Sequence, residues 1–271
     1  MEESLEFYNN FDKKLINDYV LGNKRIESAI INLGKFIPKN STNILDIGCG
    51  LGWSSFEFAK HFKNSQVIGI DLSPVLVENA RKLFSNNNLS FEVFDITKNL
   101  PEKKYDAIIM IDVYEHIPKK DRLNFHNSLK NLLNEQGRLI LACPSKYHQT
   151  WLKNNKPEGL QPIDEDVDNE VILELAKDIG GEVLYFEYQN IWRNLDYFYT
   201  VIEINPIYNT SYSFSSKSNI LLENQHSKVK RIKTNLKIEI PNIKSNQSNL
   251  LKKIRNKLKK MITRLYGTAK K

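Results

Sequence analysis

Apolar positions along the first three quarters of the chain follow two alternating rhythms. The runs NILDI, QVIGI, LSFEVF, YDAIIMI and GRLILAC are short, unbroken and rich in β-branched residues, as buried strands are. Between them, the segments from Trp53 to Phe62, from Pro74 to Phe84 and over 119–133 repeat their apolar residues every three to four positions, which predicts helices. Strands alternating with helices in this way predict an α/β fold with a parallel sheet covered on both faces. Residues 11–36 read as a leading helical segment, with Phe11, Leu15, Tyr19, Ile26, Ala29, Ile30 and Leu33 on one side and a break at Gly22; Pro38 ends it. After Cys143, a polar insertion from Pro144 to Asp168 leads into a helix over 169–179, which Gly180 and Gly181 stop. EVLYFEYQ and LDYFYTVIEI then predict an antiparallel pair joined at NIWRN.

Composition narrows the class without changing the picture. With 41% hydrophobic and 26% charged residues in 271, the chain belongs among soluble globular proteins. Cys49 and Cys143 both lie in apolar segments and form no C-x-x-C pair, so neither a metal centre nor a disulfide framework is expected. The opening MEESLEFYNN lacks the basic and apolar regions of a leader, and no run reaches the roughly 18 apolar residues of a membrane span. A cytoplasmic location is the expectation. Charge, however, divides the chain. Residues 205–271 hold 16 Lys/Arg and 2 Asp/Glu, whereas residues 1–204 hold 23 against 30. The basic piece opens with NPIYNTSYSFSSKSN, a composition typical of linkers.

The most informative segment is ILDIGCGLG, which sets Gly48, Gly50 and Gly52 between a buried strand and a helix. Glycine tolerates positive φ there and lets a ligand approach the amides at the helix start. The dinucleotide fingerprint would need a further glycine where the chain has Trp53, so a pyrophosphate cradle is not indicated. Asp71 ends the second strand, 19 residues beyond Gly52, where a carboxylate can accept hydrogen bonds from ribose hydroxyls; with Ser73 and Pro74 following, it also reads as a helix-start signal. Asp95 and Asp112 end the third and fourth strands. Together with Asp46, they place four carboxylates at or near the same edge of four successive strands, where open α/β sheets bind ligands.

In this order the motifs resemble those of class I S-adenosylmethionine-dependent methyltransferases, over about residues 39–204. ILDIGCGLG is similar to the family's first motif, VIGIDLSP to the second, FEVFDIT to the adenine-contacting segment, YDAIIMIDVYEHI to the segment after it and GRLILACP to the following strand. The resemblance implies a Rossmann-like, doubly wound sheet of seven strands, mostly parallel with the last strand antiparallel, and S-adenosyl-L-methionine as cofactor. It implies that Asp46 and the backbone of Gly48, Gly50 and Gly52 hold the methionine part and that Asp71 binds the ribose. Leu72 would pack on adenine, Asp95 would take its amino group, Ile96 would offer its backbone, and Asp112 would lie where cofactor and acceptor meet. No metal is implied.

Methyl transfer to oxygen needs a proton acceptor, and His116 in DVYEHIP is the candidate, with Glu115 beside it; the competing reading is a histidine that orders the pocket. His148 in the insertion is a second candidate for acceptor contact. Cys143 reads as a small buried residue. No Asn/Asp-Pro-Pro-Tyr/Phe sequence follows the fourth strand, which disfavours amino methylation of a nucleobase. The N-terminal segment 1–38 reads as a helical lid in which Tyr8, Tyr19 and Arg25 reach the cofactor or acceptor, or as helices packed on the sheet. Residues 205–248 read as a polar linker.

From Asn249, Leu251, Ile254, Leu258, Met261, Ile262 and Leu265 form one helical stripe flanked by Lys and Arg, a basic amphipathic C-terminal helix. It suits an anionic membrane surface through 249–266; RNA or a protein partner is the alternative. The reading as a whole is a methyltransferase acting on oxygen of a small molecule, glycan or lipid-linked intermediate, peripheral at the inner membrane face. The alternatives are an RNA methyltransferase clamped by the tail and a catalytically silent nucleotide-binding scaffold.

Overall fold

A computed structural model of the chain describes residues 2–96, 103–207 and 220–240. Its seven strands are β1 (Asn43–Ile47), β2 (Gln66–Asp71), β3 (Leu89–Val93), β4 (Tyr105–Ile111), β5 (Leu133–Pro144), β6 (Gly181–Gln189) and β7 (Tyr197–Ile204). They form one sheet in the order β3-β2-β1-β4-β5-β7-β6. Strands β1 to β5 pair in parallel, and β7 runs antiparallel to both of its neighbours, β5 and β6. The apolar rhythm predicts the parallel sheet, and the doubly wound, Rossmann-like order with its antiparallel last strand is the one that the family resemblance implies.

Strand order reverses between β1 and β4, so the crossovers leave in opposite directions and open a crevice at the carboxyl edge. One face of the sheet packs against α2 (Asp12–Leu21), α3 (Lys24–Gly34), α4 (Trp53–His61) and α5 (Pro74–Leu83), through a core that includes Tyr19, Ile30, Leu33, Phe58 and Val77. The other packs against α6 (Arg122–Leu132) and α8 (Asn169–Ile179), through Phe125, Leu129, Ile172 and Leu175. Local chemistry sets the boundaries. Ser73 caps α5 by accepting from the Leu76 amide, with Pro74 in the first turn; Asp168 caps α8, and Gly180 ends it in the left-handed region.

The N-terminal segment is three helices, because α1 (Glu2–Asn9) precedes the predicted pair and Gly22, at φ 85°, separates α2 from α3. The helix read over 119–133 shortens to α6, preceded by a 3₁₀ turn over Lys119–Asp121. Within the polar insertion lies α7 (Lys146–Asn155), capped by the Ser145 hydroxyl. It buries only Gln149, so it leaves no apolar stripe in the sequence.

The linker reading of 205–248 is corrected over 220–240. Residues Gln225–Leu236 form α9, which packs against α2 and α5. Ile232 is fully buried in the core, and Ile220 joins it. The Lys228 ammonium lies 3.9 Å from the centre of the Trp53 ring and 3.1 Å from Glu27. Glu223 accepts from Tyr19 and pairs with Arg231. The sequence hides this because the apolar residues that anchor the segment, Ile220, Val229, Ile232 and Leu236 among them, are interspersed with Lys and Arg that read as solvent-exposed. Ile232→Ala is expected to destabilise the fold by about 2–5 kcal/mol through an unfilled core cavity, read as a lowered thermal midpoint; an unchanged midpoint would restore the linker reading. The basic helix read over 249–271 lies outside the described residues. Among the described residues no helix is long and apolar enough to cross a membrane.

Candidate active site

The glycine turn between β1 and α4 is built around positive φ at Gly48, Gly50 and Gly52, of 67°, 53° and 84°. A Cβ at Gly48 would stand 2.4 Å from Val113 Cγ2, and one at Gly52 would stand 2.6 Å from the Phe91 ring. The first glycine thus admits the loop after β4, whereas the third lets the start of α4 close on the sheet. Asp71 braces the turn from the end of β2: its Oδ2 accepts from the Gly50 amide at 2.8 Å and its Oδ1 from the Ser73 amide at 2.9 Å.

Two hollows meet at this edge. One, of about 540 Å³, is lined by Leu72, Phe94, Asp95 and Ile96 among others. The other, of about 450 Å³, runs between the N-terminal helices and the insertion and is lined by Arg25, Glu115, His148, Gln149, Trp192 and Tyr197 among others. Tyr8, Gly48, Asp71, Asp112 and His116 line both. Helix α1 spans the junction, because Ser73 donates to Asn9 at 2.6 Å and Tyr8 donates to Gln161 at 2.9 Å.

The structure therefore gathers Gly48, Gly50, Asp71, Leu72, Asp95, Ile96, Asp112 and His116 on connected walls. It sets Asp46 and Gly52 behind them. Asp46 is buried beneath the turn, where its Oδ2 accepts from Ser54 at 2.6 Å and Ser55 at 2.5 Å; burial raises its pKa to about 6 despite those bonds. Of these residues, Ser54 reaches the hollow, so Asp46 acts on it through that serine. Cys143 is buried with its thiol pushed up by burial, as an inert core residue should be.

Asp112 sits at φ 56° and pairs with Arg25, Oδ2 to Nη1, at 2.5 Å; Arg25 also donates to the Tyr197 hydroxyl at 3.2 Å. Glu115, buried and close to Asp112, has its pKa pushed well up by burial first and by that neighbouring carboxylate second. The 3₁₀ turn Tyr114–His116 carries His116. His116 Nδ1 faces the Ile163 carbonyl at 2.6 Å, and a carbonyl only accepts, so Nδ1 bears the proton and the neutral ring leaves Nε2 bare. That Nε2 is buried without a hydrogen-bond partner, 3.7 Å from Glu115 Oε1. Burial lowers the pKa of the ring. Beneath the turn, Tyr114 donates to His126 Nε2 at 2.7 Å, while His126 Nδ1 faces Asp178 at 2.6 Å, so the segment carrying His116 is pinned to α6 and α8.

Sequence reasoning missed Gln149, Gln161, Trp192 and Tyr197 as parts of one wall, and missed the His126 and Asp178 support. Their partners lie far away along the chain, and no local motif marks them.

The methyltransferase domain family matches residues 38–194, more than half of the chain. The chain belongs to the class I S-adenosylmethionine-dependent methyltransferases. Two curated relatives, both from Ilyobacter polytropus, are malonyl-[acyl-carrier protein] O-methyltransferases. One is 39% identical over 38% of this chain and 38% of its own length; the other is 33% identical over 59% and 60%. The chain thus spans about two fifths and three fifths of the length of these two relatives. Magnesium protoporphyrin IX methyltransferase from Synechocystis, solved with bound SAH, shares the fold with a TM-score of 0.58 at 19% identity, over 74% of this chain and 97% of that one.

The walls of this methyltransferase domain fit the family's cofactor. Asp71 has carboxylate oxygens that could accept from ribose hydroxyls, the turn at Gly48 and Gly50 presents bare backbone, and the carboxylates of Asp71 and Asp112 would suit a sulfonium cation. Among the described residues no cluster could hold a metal ion.

Proposed function

We propose that the chain methylates a hydroxyl oxygen of a small-molecule acceptor, with His116 as the general base. One observation carries the reading: the Ile163 carbonyl fixes the proton on Nδ1, leaving an unpartnered, buried Nε2 on the wall common to both hollows. S-adenosylmethionine, when bound, supplies a methyl carbon made electrophilic by its sulfonium and leaves as the neutral thioether. Asp71, Leu72, Asp95 and Ile96 would hold its nucleoside, with the amides of Gly48 and Gly50 along its methionine part. Arg25 and Tyr197 hold the Asp112 carboxylate in place at the junction. The acceptor enters from the side of Gln149 and Trp192, and its hydroxyl proton passes to His116 Nε2. Alignment supplies most of the rate, because the nucleophile and the methyl carbon must lie in line. Tyr8 and α1 cover the junction and exclude water.

The names of the curated relatives, O-methyltransferases, support transfer to oxygen. Incubation of the full chain with methyl-labelled S-adenosylmethionine and a cell extract separated into small molecules, lipids and RNA tests the reading. Label is expected in the small-molecule or lipid fraction, on oxygen; label confined to RNA would overturn it.

A further inference from the structure

The hollow on the acceptor side carries an electrostatic bias that the family assignment does not explain. Five carboxyl groups line it, Asp71, Asp112, Glu115, Glu158 and Asp164, against the two basic side chains Arg25 and Lys14. Both already hold a carboxylate among the described residues. Arg25 Nη1 is committed to Asp112 at 2.5 Å and to Tyr197 at 3.2 Å while its Nε is buried without a partner, and Lys14 is paired with Asp18 at 3.2 Å. An acceptor carrying a carboxylate would find one unpaired guanidinium nitrogen, Arg25 Nε, on a side chain already neutralised by Asp112, and would meet acidic oxygens on several sides.

The groups left without partners point the same way. Asp112 Oδ1, Glu115 Oε2, His116 Nε2 and Gln149 Oε1 are buried and unpaired on residues that line the hollow, and so are Arg25 Nε, Trp53 Nε1 and His148 Nδ1. The first four accept hydrogen bonds, whereas Arg25 Nε and Trp53 Nε1 donate, so a ligand that satisfies them must both donate and accept, as a hydroxyl does and a carboxylate does not. His148, Trp192 and Tyr197 add an aromatic face, with the His148 and Tyr197 rings 5.7 Å apart and Trp192 edge-on to Tyr197 at 6.0 Å. Trp192 is 54% exposed at the rim, where a flat or ring-shaped body can stack on it.

From these features we infer that the acceptor is an uncharged hydroxyl compound, an alcohol or phenol on a ring-shaped body, and that the Arg25–Asp112 pair excludes carboxylate acceptors. The inference rests on the O-methylation reading above and narrows it. The proton inventory agrees. A hydroxyl oxygen gains the methyl group, the methyl–sulfur bond breaks with its electron pair left on sulfur, and the hydroxyl proton goes to Nε2. A carboxylate oxygen would gain the methyl group with no proton to release, and a buried bare imidazole would have nothing to do.

Two matched pairs test this on the full chain saturated with S-adenosylhomocysteine: phenyl β-glucoside against phenyl β-glucuronide, and 4-methylphenol against 4-methylbenzoate. Binding is read by ligand-observed NMR titration. The neutral member of at least one pair is expected to bind at least tenfold more tightly than its acid, and Asp112→Asn, which releases Arg25, is expected to shrink that ratio or reverse it. Tighter binding of the acids by the wild type, equal binding within each pair, or binding of none of the four overturns the inference. If S-adenosylhomocysteine itself does not saturate the chain, it is the methyltransferase reading that fails, and the two failures are told apart at that first step.

Discussion

His116→Ala is expected to lower kcat by about 10²–10⁴-fold while leaving cofactor affinity within about threefold, because a general base acts on the reacting proton and a cofactor-holding residue does not. The alanine removes Nε2 and also the contact from Nδ1 to Ile163, so His116→Gln serves as the control for packing and is expected to remain nearly as slow. Burial lowers the pKa of the ring below the ordinary histidine value of about 6.5. The basic form is the neutral one, so wild-type kcat should rise with pH through that lowered pKa and be level at neutral pH, and this acidic limb should vanish in the variants. Steady-state rates over a pH series, with cofactor affinity measured in parallel, check all three points. Equal losses of rate and affinity would make His116 a packing residue beneath the cofactor.

Asp71→Ala should weaken cofactor binding on the order of 1.5–3 kcal/mol, or roughly 10- to 150-fold, since it deletes the charged hydrogen-bond acceptor proposed for the ribose. Its second effect follows from the geometry of the turn. The same carboxylate accepts the amides of Gly50 and Ser73, so the alanine leaves two donors at the binding edge without their partner. Asp71→Asn keeps one acceptor oxygen and should retain part of the affinity. Calorimetric titration of S-adenosylhomocysteine into both variants separates these effects: a loss in the alanine that the asparagine partly restores is expected, and unchanged affinity in both would remove Asp71 from the ribose site.

Local features of this molecule are legible in its sequence, and distant pairings are not. The glycine turn, the strand ends at Asp71 and Asp112, and the caps at Ser73 and Asp168 each depend on neighbours a few residues away, so spacing alone locates them. Asp46 shows the limit of that logic. Its place at a strand end is visible, but its carboxylate turns to Ser54 and Ser55 and away from the hollow, a choice of side-chain direction that no spacing records. The acceptor wall draws Arg25 from α3, Gln149 from α7 and Tyr197 from β7, elements related only by the folded sheet. Helix α9 is harder still, because the basic composition of 205–271 masks a docking face to which Ile232, Lys228 and Arg231 belong. Charge composition reads as solvent exposure unless the partners are known, and here the Lys228 ammonium is covered by Trp53 and Glu27.

Whether the edge formed by Gly48, Gly50 and Asp71 grips S-adenosylmethionine decides the account. Isothermal titration of that molecule into the full wild-type chain should give saturable binding with one site per chain, and adenosine should compete for it. A flat titration from a folded sample would contradict the assignment of both hollows.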